Sequence, residues 1–342
     1  MGRMKRTILA AALFCAACLL FAQGVLDEDD SLMDKRSEES ASPHSFSILT
    51  DFAYYPYSDM VSSSGERFAP ITGPSDGVLF GVTGVYNYTI PLPGKNFLTK
   101  GNNLKLGAEC QISPATFKPR IFASYTPAAF FVVNAGFTLG TGWEVMGSQG
   151  LAAYNALSGK YDNLTPFANW YYEFSVGGTF QFDAEALWPG DWHHIVLSAS
   201  YDFRFGGLSG QDNGQPWCWA AEYAKVNGPF YYANIILGYQ MPLKLSMVGF
   251  QAEFTGYYSD SQFDSKYKDF NGNFCNINIS PLMVFSLSKK DTLFVLFYFE
   301  RRRGFDSAIG RVGGREQNIL DLRYSGGEWY FRRIAIRYLH NF

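Results

Sequence analysis

The residues of this chain whose types can do chemistry are four histidines, a run of aspartates in one polar stretch, three cysteines in the body of the chain, and charges spaced along apolar segments. A serine nucleophile needs a histidine within hydrogen-bond reach. The histidines are His44, His193, His194 and His340, and His194 precedes Ser198 and Ser200 on what reads as one strand face. Four residues of strand separate His194 from Ser198 by about 13 Å, far outside that reach. Asp260, Asp264 and Asp269 in SDSQFDSKYKDFNGN bring three carboxylates together, but their spacing matches no EF-type calcium loop and a solvated polar loop is the reading. GVTG and GTG lie inside strand-like alternation, where glycine supplies room rather than a phosphate cradle. Cys110, Cys218 and Cys275 are unevenly spaced and frame neither a disulfide scaffold nor a zinc site. No catalytic residue, metal site or cofactor is expected, and the chain is read as a protein other than an enzyme.

Charge is the chemistry that remains, and its spacing is regular. Glu173, Ser175, Gly177, Thr179, Gln181 and Asp183 alternate with Tyr172, Phe174, Val176, Gly178, Phe180 and Phe182. Ser198, Ser200, Asp202 and Arg204 alternate with Leu197, Ala199, Tyr201 and Phe203, and Gln251 and Glu253 with Phe250, Ala252 and Phe254. Successive strand side chains point to opposite faces, so each segment is an amphipathic strand with one polar face. Collected by parity, that face carries Lys105, Glu109, Glu173, Asp183, Asp202, Arg204, Glu253, Arg333 and Arg337 as candidate pore-lining residues. Gly107, Gly136, Gly140, Gly177 and Gly249 are interleaved with them and are expected to leave space. Arg333 and Arg337 share one face and form a basic strip, which opposite Glu173, Asp183 or Glu253 would set a transverse field. Arg301 to Arg303 and Arg332 are assigned instead to lipid phosphates on the loop side.

The elements that must position these charges are twelve predicted strands: 45–55, 77–90, 102–113, 115–126, 130–142, 168–185, 193–205, 229–241, 245–258, 274–287, 291–303 and 329–342. Their links alternate between short ones (TPAAF, LWPGDW, MPLKL, LSKKD) and long ones at 56–76, 143–167, 206–228, 259–273 and 304–328, so the long loops share one end. That is the pattern of an all-β, antiparallel, up-and-down transmembrane barrel of about twelve strands. Ten to fourteen remain compatible, because the link at Ser113 and Pro114 is short where a long one is due and QNILDLRY (Gln317 to Tyr324) can be read as a further strand.

Arg3, Lys5 and Arg6 precede the apolar run Ile8 to Ala22, and small residues follow at Ala22 to Gly24, the layout of a secretory signal peptide over 1–24. Cys18 after CAA offers a looser alternative, a lipid-attachment site. Residues 25–44 read as a flexible, acidic periplasmic tail and 45–342 as the barrel. Loss of the leader leaves 25 Lys and Arg against 31 Asp and Glu, a net charge of −6 that gives no reason to invoke nucleic acid.

Alternation alone also fits a secreted β-sandwich. Tryptophan separates the two. All seven lie at predicted strand ends or in loops, and Trp143, Trp170, Trp188, Trp192 and Trp329 are assigned to aromatic girdles at the two membrane interfaces. The last eleven residues, RRIAIRYLHNF, place Ile334, Ile336, Tyr338, His340 and Phe342 on one face. A strand of this kind ending on an aromatic residue resembles the closing strand of bacterial outer-membrane β-barrel proteins, porin-like ones among them. The resemblance implies that Ile334, Ile336, Tyr338 and Phe342 form a C-terminal signal read by the outer-membrane assembly machinery, with His340 departing from the usual residue there. It places the chain in the bacterial outer membrane with a lipid bilayer as its partner. The expected function is a channel for passive diffusion of small hydrophilic solutes. The alternative is a closed barrel that displays extracellular loops for adhesion or interaction. Phe294, Leu296 and Tyr298 also give one strand an apolar inner face, as a transporter of hydrophobic substrates would have.

Overall fold

The computed structural model describes residues 42–56, 67–72, 77–94, 98–99, 101–145, 148–155, 160–220, 222–265, 271–306 and 323–342. The expected signal peptide, nearly all of the tail and most of QNILDLRY lie outside the described residues. Twelve strands follow the predicted segments: β1 (His44–Tyr55), β2 (Gly77–Pro91), β3 (Asn103–Ile112), β4 (Thr116–Ala128), β5 (Phe131–Gly142) and β6 (Tyr171–Asp183). They continue as β7 (Ile195–Leu208), β8 (Gly228–Gln240), β9 (Leu245–Tyr257), β10 (Asn276–Ser286), β11 (Asp291–Asp306) and β12 (Arg323–Asn341). Each pairs antiparallel with its sequence neighbour, and β12 returns to β1 from Ser47 opposite Asn341 to Tyr54 opposite Ile334. The sheet is thus a closed barrel with no backbone edge between first and last strands, the condition under which strands can cross hydrocarbon.

Parity decides which face looks where. Phe52, Phe80, Leu106, Ile121, Phe137, Phe174, Phe203, Leu237, Phe250, Ile279 and Ile336, one from nearly every strand, are exposed on the outer surface. Leaving such side chains in water forfeits about 1.5–3 kcal/mol each, so this continuous belt is a lipid-facing surface. No helix among the described residues is long and apolar enough to cross a membrane.

Tight connections fall at one end, including 241–244 and 287–290, and the long ones at the other. The short link at Ser113 belongs to the loop end: Ser113 Oγ accepts the backbone N–H of Thr116 at 3.0 Å and closes a tight turn there. Two long loops carry an element absent from the sequence reading. Short strands Lys160–Asn163, Leu151–Asn155, Trp217–Trp219 and Glu222–Lys225 pair, in that order, into a second, four-stranded sheet. Its core is Ala152, Tyr154, Tyr161, Cys218, Ala224 and Val226, with Phe263 from a third loop.

Candidate functional site

The inner wall divides into two arcs. On β8 to β12 and around through β1 and β2, Ile236, Leu282, Val284, Phe294, Leu296, Tyr298, Leu339, Leu49 and Val85 form one packed inward cluster, with Asn234, Gln251, Ser280 and Thr292 among the buried polar residues on the same strands. Leu49 and Leu339 are 0% exposed and Leu296 1%, so this arc fills its part of the lumen. Phe294, Leu296 and Tyr298 face inward as parity requires, but they are packed into this cluster. On β3 to β7 the inward positions are mostly Gly, Ser, Thr, Asn, Gln and charged residues, and Gly107, Phe122, Asn134, Gly177, Ser200 and Asp202 keep partial water access.

Every candidate pore-lining residue faces inward, yet the charges do not stand in opposed rows. They pair mainly along the wall, with the next strand. Glu109 on β3 meets Arg120 on β4 at 3.7 Å, and Arg204 on β7 meets Glu173 on β6 at 3.4 Å and its own strand's Asp202 at 2.9 Å. Arg337 pairs with Asp51 across the β12–β1 seam. Glu253 accepts from the Tyr232 hydroxyl on β8. Of the acids expected across from Arg333 and Arg337, Glu253 shares an electrostatic neighbourhood with Arg333. Arg333 donates to Tyr55 at 2.8 Å and lies over the Tyr298 ring at 4.3 Å. Asp183 sits at the turn end, bonded to His194 Nδ1 at 2.7 Å and accepting the N–H of Glu185, far from any arginine strip. Lys105 is buried on the inner face of β3. Neighbouring strands lie about 5 Å apart, so most of these charges meet a counter-ion there, and of the expected pairings across the lumen Glu253 with Arg333 is the one the structure shows.

Arg332 is a second correction. A bulge sets Tyr298 opposite Arg333 but Phe299 opposite Phe331, leaving Arg332 as the extra residue. Its guanidinium reaches Glu300 at 3.2 Å and Glu222 of the loop sheet at 3.9 Å instead of lipid phosphate. Arg301 does face outward, over the Phe274 ring at 4.6 Å, and the side chains of Arg302 and Arg303 lie outside the described residues.

The inward glycines do not simply leave space. A methyl group at Gly107 would fall on the Phe122 ring, one at Gly136 would lie 3.0 Å from the Arg120 guanidinium, and one at Gly177 would strike Asp202. Gly140 receives the tip of the Trp219 indole, and Gly249 abuts the backbone of β8. These are seats filled by a neighbouring side chain or strand.

Trp219 brings the loop sheet to the barrel mouth. Its ring stacks on inward Tyr171 at 4.8 Å, and Leu151, Leu208 and Trp217 complete the contact. Glu222 binds Lys225 at 2.8 Å as well as Arg332. Its partial burial opposes ionisation, but the charges of Lys225 and Arg332 overcome this and hold the carboxyl at about 2.

At the loop end Trp143 and Trp170 gather about Phe167, with centroids at 6.4 and 5.8 Å, and Trp329 lies on the same end of β12. Trp188 and Trp192 are exposed at the turn end. Ile334, Ile336, Tyr338 and Phe342 all lie on the outer face. The Phe342 ring packs on Phe46 at 5.2 Å, and its N–H bonds Phe46 O at 3.2 Å. His340 bonds Asp291 on β11 at 2.8 Å, an acceptor shared with Tyr338. Among the described residues no group of three or more His, Cys, Asp and Glu is arranged to hold a metal ion.

No family model matches the chain, and no curated protein matches it in sequence. Its structural neighbours are bacterial outer-membrane porins and autotransporter barrels. The KdgM porin is 11% identical over 86% of this chain and 99% of that one, with a TM-score of 0.36. The β domain of the Bordetella autotransporter BrkA is 9% identical over 87% and 99%, with a TM-score of 0.42. The translocator domain of the autotransporter NalP from Neisseria meningitidis is 10% identical over 97% and 96%, with a TM-score of 0.39. Likeness at this level carries no information about substrate.

Proposed function

We propose that this protein is a channel in the bacterial outer membrane through which small hydrophilic solutes diffuse, narrowed at its outer mouth by the loop-built sheet. The reading makes it a conduit and not a catalyst, with the bilayer and the solute as its working partners and the assembly machinery as the reader of its last strand. The observation that carries it is the polar arc of β3 to β7. There Thr179 Oγ1, Gln181 Oε1 and Ser198 Oγ have no hydrogen-bond partner in the protein. Such a group held dry costs about 1–3 kcal/mol, and these buried atoms lie beside inward positions that water does reach, at Gly177, Ser200 and Asp202. On the other arc Asp51, Asn278, Ser280, Thr292, Arg333, Arg337 and Asn341 also carry such atoms, and what sets β3 to β7 apart is the partial water access at Gly107, Phe122, Asn134, Gly177, Ser200 and Asp202.

The test is planar-bilayer recording from the refolded mature chain across a salt gradient. Reproducible open steps support the channel, and a folded but silent barrel removes it. One observation favours a second reading, a closed barrel displaying its loops. The loop sheet has its own core around Cys218, Tyr154 and Tyr161, and so presents a defined surface. A silent barrel would leave that reading standing.

A further inference from the structure

Large side chains on the two arcs are accommodated differently. On the apolar arc large faces large at two places, Leu296 opposite Leu282 on β10 and Leu339 opposite Leu49 on β1, while Met247 lies over Gly238. These leucines have no recess behind them, so they project into the lumen and pack there. On the polar arc Phe122, Arg120 and Asp202 each lie over a glycine of a neighbouring strand. Phe122 is the register partner of Gly107 and Asp202 that of Gly177, and Arg120 lies over Gly136 two strand positions off its own partner, Thr138. With no Cβ beneath it, each lies back against the wall.

We propose that the water-accessible route through the barrel runs off its axis, as a cleft along the inner face of β3 to β7, and that Gly107, Gly136 and Gly177 hold it open by seating Phe122, Arg120 and Asp202. The cleft rests on the channel reading for the solute it passes, but its geometry can be measured without any current. Phe122 and Arg120 then meet the solute as one rim, the guanidinium lying over the ring at 5.3 Å and paired with Glu109. Small uncharged polar solutes with an apolar face, sugars in chemical class, fit such a rim, because the rim carries its charge already neutralised.

The test uses single cysteines in the full chain with Cys110, Cys218 and Cys275 replaced by serine, folding being checked by the heat-dependent gel shift of the closed barrel. Asn134→Cys and Ser200→Cys report on the cleft, and Val85→Cys and Val284→Cys on the packed arc. A charged, water-soluble methanethiosulfonate should modify the first pair about tenfold or more faster than the second, since only a solvent-reached thiolate reacts. Equal rates, or faster reaction on the packed arc, overturn the off-axis route whether or not the barrel conducts. Gly136→Ala tests the seat itself, because the methyl presses on the mobile end of Arg120 and on the Ser175 hydroxyl and on no backbone. It should lower unitary conductance by about half, while Gly84→Ala on the outer face, where the methyl meets only Phe46 at 3.9 Å, should change nothing. A Gly136→Ala channel with native conductance overturns the seating. A native barrel that is silent but labels asymmetrically retires the channel and supports the cleft.

Discussion

The arc of β3 to β7 and the arc running from β8 through β12 to β2 are written in the same period-two alternation, share one sheet, and have opposite interiors. One packs leucines, valines and a phenylalanine to zero or near-zero exposure, and the other seats Phe122, Arg120 and Asp202 over glycines and leaves Asn134, Ser200 and Asp202 within reach of water. Strand parity says which residues face in. What the inside becomes depends on the size of the residue opposite on the next strand.

The difference should be largest in stability. Leu339→Ala removes a fully buried side chain from the packed arc and should cost about 2–5 kcal/mol, whereas Ser200→Ala on the polar arc should stay within about 0.5 kcal/mol. Urea unfolding in lipid vesicles, followed by tryptophan fluorescence, measures both. Equal losses would mean that the arcs are not built differently. The seam between β12 and β1 comes next. Arg337→Gln leaves Asp51 without its cation and should cost about 2 kcal/mol, part of which Asp51→Asn in the same chain restores. A double-mutant cycle with no coupling would show the pair to be incidental.

Smaller effects belong to the mouth. Glu222→Gln weakens the tie from loop sheet to barrel by less than about 1 kcal/mol, because that carboxylate is half-exposed. Faster amide exchange over 217–225 should report it, and unchanged exchange would mean that the apolar contact of Trp217, Trp219 and Leu151 with Tyr171 and Leu208 holds the sheet without the ion pair. The same carboxyl sets the acid limit. Its value of about 2 when docked lies below the ordinary 4.5, so its contribution is complete above about 4.5 and is lost as the pH falls towards 2. Exchange in the loop sheet should therefore hold constant from neutral pH to about 5, after correction for the intrinsic rate, and rise below that.

Much of this was legible in the sequence for one physical reason. A barrel strand has a lipid face and an inner face, so alternation in RRIAIRYLHNF or YYEFSVGGTFQFD states its own orientation. Arg332 was misread because a bulge moves one residue across the parity that everything else obeys. The loop sheet was invisible because its strands are three to five residues long and Leu151 to Tyr154 and Trp217 to Trp219 do not alternate. Two tryptophans beside a cysteine in a loop were the available sign that something there was buried. Charge pairing was placed across the lumen because sequence shows which face a residue is on and not which neighbour it meets. The glycines looked like empty room for the same reason: Phe122 over Gly107 is a fact of register between β3 and β4.

The most direct test of the central claim is solute entry into proteoliposomes of the refolded mature chain, followed by swelling in isosmotic arabinose. The account predicts swelling that scales with protein content and slows for larger sugars. Vesicles that hold correctly folded barrels and do not swell would contradict it.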